Sequence, residues 1–304
     1  MSTIDKALIA IPPRTPVVRA GWSGRLDARV ARGVLGSKVV EARATMPLAL
    51  GRAFRPAGDD RCYLTLLHPP GGVVGGDVLD VEVLVEAQAR CVMTTTAATK
   101  IYRSDAATSI LRTTLAGHEG ASVEWIPQET IVFDGARALS HVRVTLAAGA
   151  TWLGWEIVRL GRTARGETFR SGVWRSRIVV ERNGIPLWID RQRIEGGSRH
   201  LTSRHGLGGA PVVAQLASIG ESAEVTTIGE LRELAAPIGS GSIGVSRLEH
   251  GLLCRYRGTS TGDAAAWFHA VRARLRLGLS GSSRAVERYW NLSPAQGPSL
   301  RGAK

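Results

Sequence analysis

The sequence predicts a mainly β protein in which strands stack along one long core, with a few helices toward the C-terminus. Three observations predict this fold class: period-two alternation of apolar and polar residues, strand–turn–strand units that recur roughly every 30 residues, and an Asn-Gly turn between two strands. Alternation indicates a half-buried strand because successive side chains point to opposite faces. The chain of 304 residues could form one large all-β domain or two ordinary ones.

The clearest alternation lies between Leu79 and Glu86. Apolar residues occupy every second position from Leu79 to Val85, and acidic residues fill most of the positions between them. Only Leu84 interrupts the polar face, which is typical of a strand with one face in the core. We expect its partner strand to begin at Cys91.

Two later segments repeat a pattern of strand, short turn of small residues, and strand. Their turns lie at Gly117–Gly120 and Ala147–Gly149, and we interpret both units as stacked hairpins that share one core. The hairpin signal is stronger at Asn183-Gly184, because both central residues of a type I′ turn need positive φ. The strands that flank these three turns are Ile110–Leu115 and Val123–Ile126, Val142–Leu146 and Trp152–Ile157, and Arg177–Glu181 and Ile185–Trp188.

The predicted helices lie near the C-terminus. Thr227–Ala236 is a candidate for a short helix that ends at Pro237. The stronger candidate is Asp263–Leu277, in which the Asp263 carboxylate can act as the N-cap by accepting from unpaired backbone N–H groups. The apolar residues that then share one helix face are Trp267, Phe268, Val271 and Leu275.

We expect a single β-rich domain over residues 21–292, with a flexible leader at 1–20 and a frayed tail at 293–304. The three cysteines are far apart and form no C-x-x-C, which argues against a disulfide framework and a Cys-based zinc site. The sequence contains neither a signal-peptide core nor a run of 18 apolar residues. The expected location is therefore the cytosol, without a membrane span.

The net charge of +13 raises the question of a polyanionic partner. Basic residues are scattered rather than run together, and aromatic residues make up only 5% of the chain, too few for an obvious base-stacking platform. These features favour an acidic protein surface over nucleic acid as the partner. Salt should weaken such a complex.

Signatures of catalysis are mostly missing. The sequence has no H-E-x-x-H, no P-loop and no complete G-x-S-x-G. Gly239–Gly244 matches G-x-G-x-x-G, but an extended-looking stretch follows it instead of a helix, so we interpret it as a flexible loop. His200 and His205 could touch a metal, yet two histidines without a third ligand make no closed site. A β-rich hydrolase is the alternative function, and the missing nucleophile and base argue against it.

Four polar or glycine-rich segments lie beside predicted strands. In the first segment, His68–Asp77, four glycines permit positive φ, and Asp77 either caps the turn or points into a polar channel. In the second segment, Thr94–Ser104, the threonines suit a strand with a hydrated face. Lys100 is far from any other lysine in the sequence, and a surface salt bridge is the simpler explanation for it. The segments are His68–Asp77, Thr94–Ser104, Glu124–Ala136 and Trp155–Glu167.

Glu156 stands between two apolar residues, Trp155 and Ile157. If those two face the core and the other face of the strand is open, Glu156 is solvated. If both faces are covered, the carboxylate needs a partner such as Arg162, or a metal ion.

These segments, in this order, resemble the UreD-type (also called UreH) family of urease accessory proteins. The resemblance is good over roughly residues 20–200 and thinner beyond, where Arg284–Trp290 is similar to the ending of the family; the leader and Gly196–Gly209 match no family motif. The ordered series makes the resemblance specific. Its members are Gly21-Trp22, His68–Asp77, Thr94–Ser104, Glu124–Ile131, Trp155-Glu156, Gly161-Arg162, Gly166–Phe169 and Gly184–Leu187.

The resemblance implies a two-layer, solenoid-like (β-helical) stack of strands and a metallochaperone scaffold that is not an enzyme. It implies binding to apo-urease together with a UreF-type accessory protein and a UreG-type GTPase. Hydrolysis of GTP in that GTPase would release nickel, which would pass through a water-filled tunnel in this chain. No cofactor would be stably bound, since nickel would only be in transit.

The resemblance also implies a set of tunnel residues. A relay must bind nickel weakly enough to release it, which scattered oxygen ligands and water allow. By motif position, Asp77, Glu156 and Asp190 would contact nickel in transit. For each residue a purely structural role is the alternative. The residues expected to shape the tunnel are Lys100, Tyr102, Gln128 and Glu129, with Arg162 and Glu167 as an ion pair that orders a turn.

Overall fold

A computed structural model of the protein describes residues 21–234, 239 and 241–279. The expected leader and tail, Pro237 and the family-like ending at Arg284–Trp290 lie outside these residues. The helices are α1 (Arg199–Thr202), α2 (Val225–Glu233) and α3 (Thr261–Leu279), with a 3-10 turn at Thr163–Arg165. The strands are β1 (Ser23–Gly33), β2 (Gly36–Ala44), β3 (Ala49–Leu50), β4 (Cys62–Leu67), β5 (Gly72–Val73), β6 (Val78–Val85), β7 (Arg90–Thr95), β8 (Thr99–Ile101), β9 (Ser109–Gly117), β10 (Ser122–Trp125), β11 (Thr130–Val132), β12 (Arg137–Leu146), β13 (Thr151–Leu160), β14 (Val173–Arg182), β15 (Ile185–Glu195), β16 (Val212–Ile219), β17 (Ser242–Leu248) and β18 (Gly251–Gly258).

The strands form two sheets. Sheet A has the order β15–β14–β12–β9–β6–β1–β2. Sheet B has the order β17–β18–β16–β13–β10–β7–β4–β3, and the short strands β5, β8 and β11 form a side ladder that joins it at β13. The chain passes from sheet B through the ladder to sheet A and back again, as in β7, β8 and β9.

Parallel pairing between successive coils makes this arrangement a solenoid. In sheet A, β9 pairs in parallel with both β6 and β12, and in sheet B, β7 pairs in parallel with both β4 and β10. About four coils are stacked in this way. The prediction of a mainly β, two-layer, solenoid-like fold with few helices toward the C-terminus is confirmed.

The interpretation of the two repeated units as hairpins is wrong. The strands of each unit lie in opposite sheets, so β9 does not pair with β10, and β6 pairs with β1 and β9 instead of the strand that contains Cys91. Leu115 and Val123 meet in the core between the sheets. A turn within one sheet and a turn between two layers leave the same alternation in the sequence, and only pairing between coils distinguishes them.

Antiparallel hairpins cover the ends of the parallel stack in sheet A. At one end β1 pairs with β2, and at the other β14 pairs with β15 through the predicted Asn-Gly turn. Asn183 has φ of 53° and Gly184 has φ of 75°, as a type I′ turn requires. The hairpin prediction at this turn is confirmed.

The two predicted helices form with shifted ends. Helix α3 begins at Thr261, and Ser260 rather than Asp263 caps it, because the Asp263 N–H donates to Ser260 Oγ at 3.1 Å. Helix α2 begins at Val225, and Glu233 is its last residue. Part of the glycine-rich segment before Val245 is strand rather than loop, since β17 begins at Ser242.

Two hydrophobic clusters hold these layers together. One lies between the sheets, and the other lies between sheet B and helices α2 and α3. Trp267, Phe268 and Val271 of α3 are buried in the second cluster, as their shared helix face predicts. Sheet B is therefore covered on both faces. Within the described part of the chain, every helix is too short or too polar to cross a lipid bilayer.

A buried charge cluster fastens α3 to sheet B. Glu124 of β10 accepts from Arg272 Nε at 2.5 Å and from Arg276 Nη2 at 2.6 Å, and Arg61 Nε lies 3.7 Å from its Oε1. Burial opposes ionisation, but the attraction of the three arginines prevails and lowers the pKa of Glu124 to about 2. The cluster joins residues far apart in the chain, so its geometry depends on the complete fold.

We predict that Glu124→Gln destabilises the protein by about 3–5 kcal/mol, because buried guanidinium groups lose their compensating charge. The stabilisation by the ionised carboxylate is complete above its ordinary pKa of 4.5 and is lost as pH falls toward 2. Urea unfolding of both proteins across this pH range checks the prediction.

The exposed Glu82→Gln is the control, since Glu82 pairs with Arg25 on the solvent face at 2.8 Å. It should change the free energy of unfolding by less than about 1 kcal/mol. Equal losses in the two variants would contradict a structural role for the buried cluster.

Candidate functional site

Strand β13 places a carboxylate between the two sheets. Trp155 and Ile157 pack into the cluster beneath α3, with the Trp155 and Phe268 ring centroids 6.0 Å apart. Since side chains alternate along a strand, Glu156 points to the opposite side, into the space between sheets A and B. Its Oε1 accepts a hydrogen bond from Ser176 Oγ of sheet A at 2.8 Å. Strand β13 is thus covered on both faces rather than open to solvent on the Glu156 side, and the partner of Glu156 is Ser176 rather than Arg162.

Glu156 belongs to a layer of polar side chains that we call the polar seam. On sheet B, Glu156 is in register with Gln215 of β16, which is in register with Arg255 of β18. On sheet A, Ser140 of β12 is in register with Ser176 of β14. The polar seam comprises Glu156, Gln215 and Arg255 from sheet B and Ser140, Ser176, Asp190 and Gln192 from sheet A.

The environment of Glu156 favours its protonated form. Removal from bulk water is the main cause, and the negative charge of Asp190 adds to it, so that the pKa of Glu156 rises to about 7. Hydrogen bonds from Ser176 and Ser140 offset part of this shift. Near neutral pH, the carboxyl group can therefore gain or release a proton.

Asp190 is the second carboxylate of the polar seam, and it is buried. Its Oδ2 accepts from Gln215 Nε2 at 2.8 Å, and its Oδ1 accepts from Arg255 Nη2 at 2.7 Å. The Oε1 atom of Gln215 is buried and has no hydrogen-bond partner among the described residues. A buried oxygen without a partner is uncommon in folded proteins, so this acceptor distinguishes the polar seam from the surrounding core.

Residues of the polar seam line two cavities. A cavity of about 130 Å³ between the sheets is lined by Glu156 and Ser140, and extends to Gln128 and His68. A second cavity of about 530 Å³ is lined by residues of β15, β16 and β18, including Asp190. Glu156 lines the first cavity, Gln215 lines the second, and the two residues are in register on β13 and β16. Residues of the polar seam therefore contribute to both cavity linings.

Asp77 lies at a turn before β6, where it orders the backbone. Its carboxylate accepts from the backbone N–H of Trp22 at 2.8 Å and of Val74 at 2.9 Å, so it holds the start of β1 against the glycine-rich loop. Asp77 is buried and belongs to neither of the two cavity linings. The structure therefore places it apart from Glu156 and Asp190.

Four of the expected tunnel-shaping residues lie along the side ladder and the loop before it. Gln128 lines the smaller cavity, and its backbone N–H donates to Thr95 Oγ1 at 3.0 Å. Glu129 is half-buried, and its backbone carbonyl accepts from Thr99. Lys100 is also half-buried and makes no ion pair within the described part of the chain, contrary to the simpler account of a surface salt bridge. Tyr102 is at the surface.

Arg162 and Glu167 form an ion pair at the turn after β13. Arg162 Nε donates to Glu167 Oε2 at 2.9 Å, and Glu167 Oε1 accepts from the backbone N–H of Asp134 at 3.2 Å. The Arg162 guanidinium also lies over the ring of Phe133, 4.6 Å from its centroid, and Tyr102 meets the same ring edge-on. These contacts order the end of the solenoid beside β8 and β11.

Sequence reasoning missed Phe133 beside the Arg162 turn and five members of the polar seam, namely Ser140, Ser176, Gln192, Gln215 and Arg255. A signal for Ser176 was present, because it occupies a core position in the period-two series of β14 between Trp174 and Ile178. Within the described residues, no group of three or more His, Cys, Asp and Glu side chains is placed to hold a metal ion.

Comparison with known proteins supports the resemblance seen in the sequence. The family model described as UreD urease accessory protein matches residues 23–291. A protein named urease accessory protein UreD from Nostoc punctiforme is 40% identical over 90% of this chain and 98% of its own length. Its namesake from Trichormus variabilis is 42% identical over 89% of this chain and 96% of its own length. Urease accessory protein UreD 2 of Brucella anthropi is 37% identical over 89% and 98%, respectively.

We predict that Glu156→Gln changes the pH dependence of stability. The folded wild type binds the Glu156 proton more tightly than the unfolded chain does, so it loses stability relative to the variant as pH rises from about 4.5 to about 7. The expected loss is roughly 3 kcal/mol, and the difference should be constant above this range. Chemical unfolding from pH 4 to pH 9 measures it. A difference that stays flat across the range would show that Glu156 is hydrated like a surface carboxylate.

Proposed function

The chain belongs to the UreD family of urease accessory proteins, and on this premise we propose that it binds apo-urease and conducts nickel to the urease active site. It is an accessory protein rather than an enzyme. The observation that carries the proposal is the polar seam, in which oxygen-bearing side chains of both sheets meet and contribute to the linings of two cavities. The proposed passage for the ion runs along this seam. A UreF-type accessory protein and a UreG-type GTPase are the further partners that we propose.

The chemistry of the polar seam suits an ion in transit. Divalent nickel accepts oxygen ligands, and a relay site must release it again. Glu156 and Asp190 contribute carboxylates, Gln215 contributes an amide oxygen without a protein partner, and Ser176 contributes a hydroxyl. A proton at Glu156 can balance the charge when the passage is empty, and a cation can replace that proton as it passes. We propose that Glu156 and Asp190 touch nickel, and that Asp77 stabilises the fold.

Nickel release would come from the GTPase partner. This chain contains no P-loop, so GTP must be hydrolysed elsewhere in the assembly. The expected order is binding of all partners to apo-urease, GTP hydrolysis in the UreG-type protein, and passage of nickel through this chain. Gln128 and Lys100 lie toward the smaller cavity, and Arg255 lies at the more open one.

We predict that Glu156→Gln lowers nickel-dependent activation of urease by roughly tenfold, because an oxygen ligand loses its charge. The variant is co-expressed with apo-urease and the two partners, and urease activity and nickel content are measured. Glu156→Asp keeps the carboxylate and should retain most activation. Asp77→Asn should reduce activation only as far as it reduces the amount of folded protein.

The exposed Glu82→Gln serves as the matched control and should leave activation unchanged. If urease is fully activated when the chain is left out, the proposed function is wrong. If activation needs the chain but Glu156→Gln has no effect, then the proposed nickel path is wrong and the accessory role is retained.

A further inference from the structure

The outer face of sheet A carries a concentration of arginines on one half. Side chains that point away from the core on β12, β14 and β15 include six arginines, which we call the arginine face. On β14 and β15, Arg175 lies opposite Arg193 and Arg177 lies opposite Arg191. The arginine face comprises Arg137, Arg143, Arg175, Arg177, Arg191 and Arg193, all exposed.

The two halves of this sheet face differ in how their charges are balanced. On the half formed by β1, β2 and β6, acids and arginines alternate, so that Arg25 pairs with Glu82 at 2.8 Å and Arg29 pairs with Glu86 at 2.6 Å. On the arginine face, Glu181 pairs with Arg143 and Glu195 pairs with Arg193. The other four members of the arginine face, Arg137, Arg175, Arg177 and Arg191, form no ion pair with any described residue.

Unbalanced arginines in register are unfavourable, because like charges directly opposite on neighbouring strands repel. His141 lies within this group, in register with both Arg177 and Arg112. Its pKa is below the usual range, first because of partial burial and then because of the positive charges of Arg177, Arg143 and Arg112. The positive charges of these arginines therefore act on the His141 side chain. A partner that presents carboxylates would reduce the repulsion among them.

The chain itself offers little to balance this charge. The segments outside the described residues carry more basic than acidic side chains, and a second copy would bring a further net charge of +13. The acidic residues in those segments are Asp5 and Glu287, against Lys6, Arg14, Arg19, Arg284, Arg288, Arg301 and Lys304. The occupant of the arginine face is therefore a different molecule.

The composition of the arginine face favours a protein as that molecule. Arginine is enriched in protein interfaces, and six arginines lie together here on three neighbouring strands. Of the apolar side chains at the outward positions between them, Ile189 is exposed, Leu139 is half-buried and Val179 is buried. Outward positions of β12, β14 and β15 carry no aromatic residue for base stacking. Guanidinium groups that can bind carboxylates in a bidentate way, beside an exposed apolar side chain, fit a protein surface that presents carboxylates.

We propose that the arginine face is the surface on which an acidic face of apo-urease docks. This assignment rests on the proposed function, in which urease is the partner, and it specifies which side of this chain meets urease. The polar seam and the arginine face then lie on opposite sides of sheet A, which separates the passage for the ion from the surface that holds the partner.

The test compares two triple variants of the full chain. R175Q/R177Q/R191Q removes unpaired charge from the arginine face, and R25Q/R29Q/R43Q removes the same charge from the balanced half of the same sheet face. Association with immobilised apo-urease is measured at ionic strengths of about 0.1 M and about 1 M. R175K/R177K/R191K keeps the charge and controls for loss of the native side chains.

The arginine-face variant should associate with apo-urease about tenfold more slowly at low ionic strength, and the difference should shrink at high ionic strength. The balanced-half and lysine variants should stay within about twofold of the wild type. Equal association rates for both glutamine variants would overturn the inference. Binding to the UreF-type protein, the GTPase, a dT oligonucleotide and phosphatidylserine vesicles is measured in parallel. If the arginine-face variant associates more slowly only with one of these and not with apo-urease, the inference is also overturned.

Failure of the wild type to bind or activate apo-urease would instead remove the proposed function, and this inference with it. Circular dichroism of each variant shows whether the sheet is intact. If a glutamine variant does not fold, the inference is tested by the salt dependence of the association rate of the lysine variant and of the wild type with apo-urease. An association rate that does not change with salt would overturn the inference.

Discussion

Sheet B is covered on both faces, and this constraint determines the positions of the most informative side chains. One face packs against sheet A and the other against helices α2 and α3. A strand such as β13 therefore has no solvent side to which a carboxylate could turn. Because Trp155 and Ile157 occupy the helix side, Glu156 is enclosed between the sheets. The polar seam follows from the same constraint, since groups of both sheets must satisfy one another there.

Two enclosed carboxylates of sheet B have opposite electrostatic surroundings. Glu124 lies among three arginines and has a pKa of about 2, whereas Glu156 lies among hydroxyl groups and a second carboxylate and has a pKa of about 7. The first arrangement is permanently charged and holds a helix in place. The second can change its protonation near neutral pH. Similar burial thus produces a structural role in one case and supports a role in ion transfer in the other.

The solenoid separates these roles in space. Stacking of coils creates a long core with two outer faces, one of which α2 and α3 cover. No described residue covers the outer face of sheet A, which carries balanced charges on one half and the arginine face on the other. The proposed roles of guiding an ion and holding a large partner would need an interior and an exterior that work independently, and this architecture has both.

The sequence by itself determined the strand content, the Asn183-Gly184 hairpin, the apolar face of α3 and, through an ordered series of motifs, the family. These features depend on local alternation, on φ preferences and on neighbouring residues. The tertiary structure alone decided that the repeated units cross between sheets, because hairpins and interlayer turns have the same local pattern. It also decided which polar residues meet: Glu156 and Ser176 lie on different sheets, and Glu124 and Arg272 are 148 positions apart in the chain. Contacts of this kind depend on the register between coils and on layer packing, which no local pattern of residues encodes.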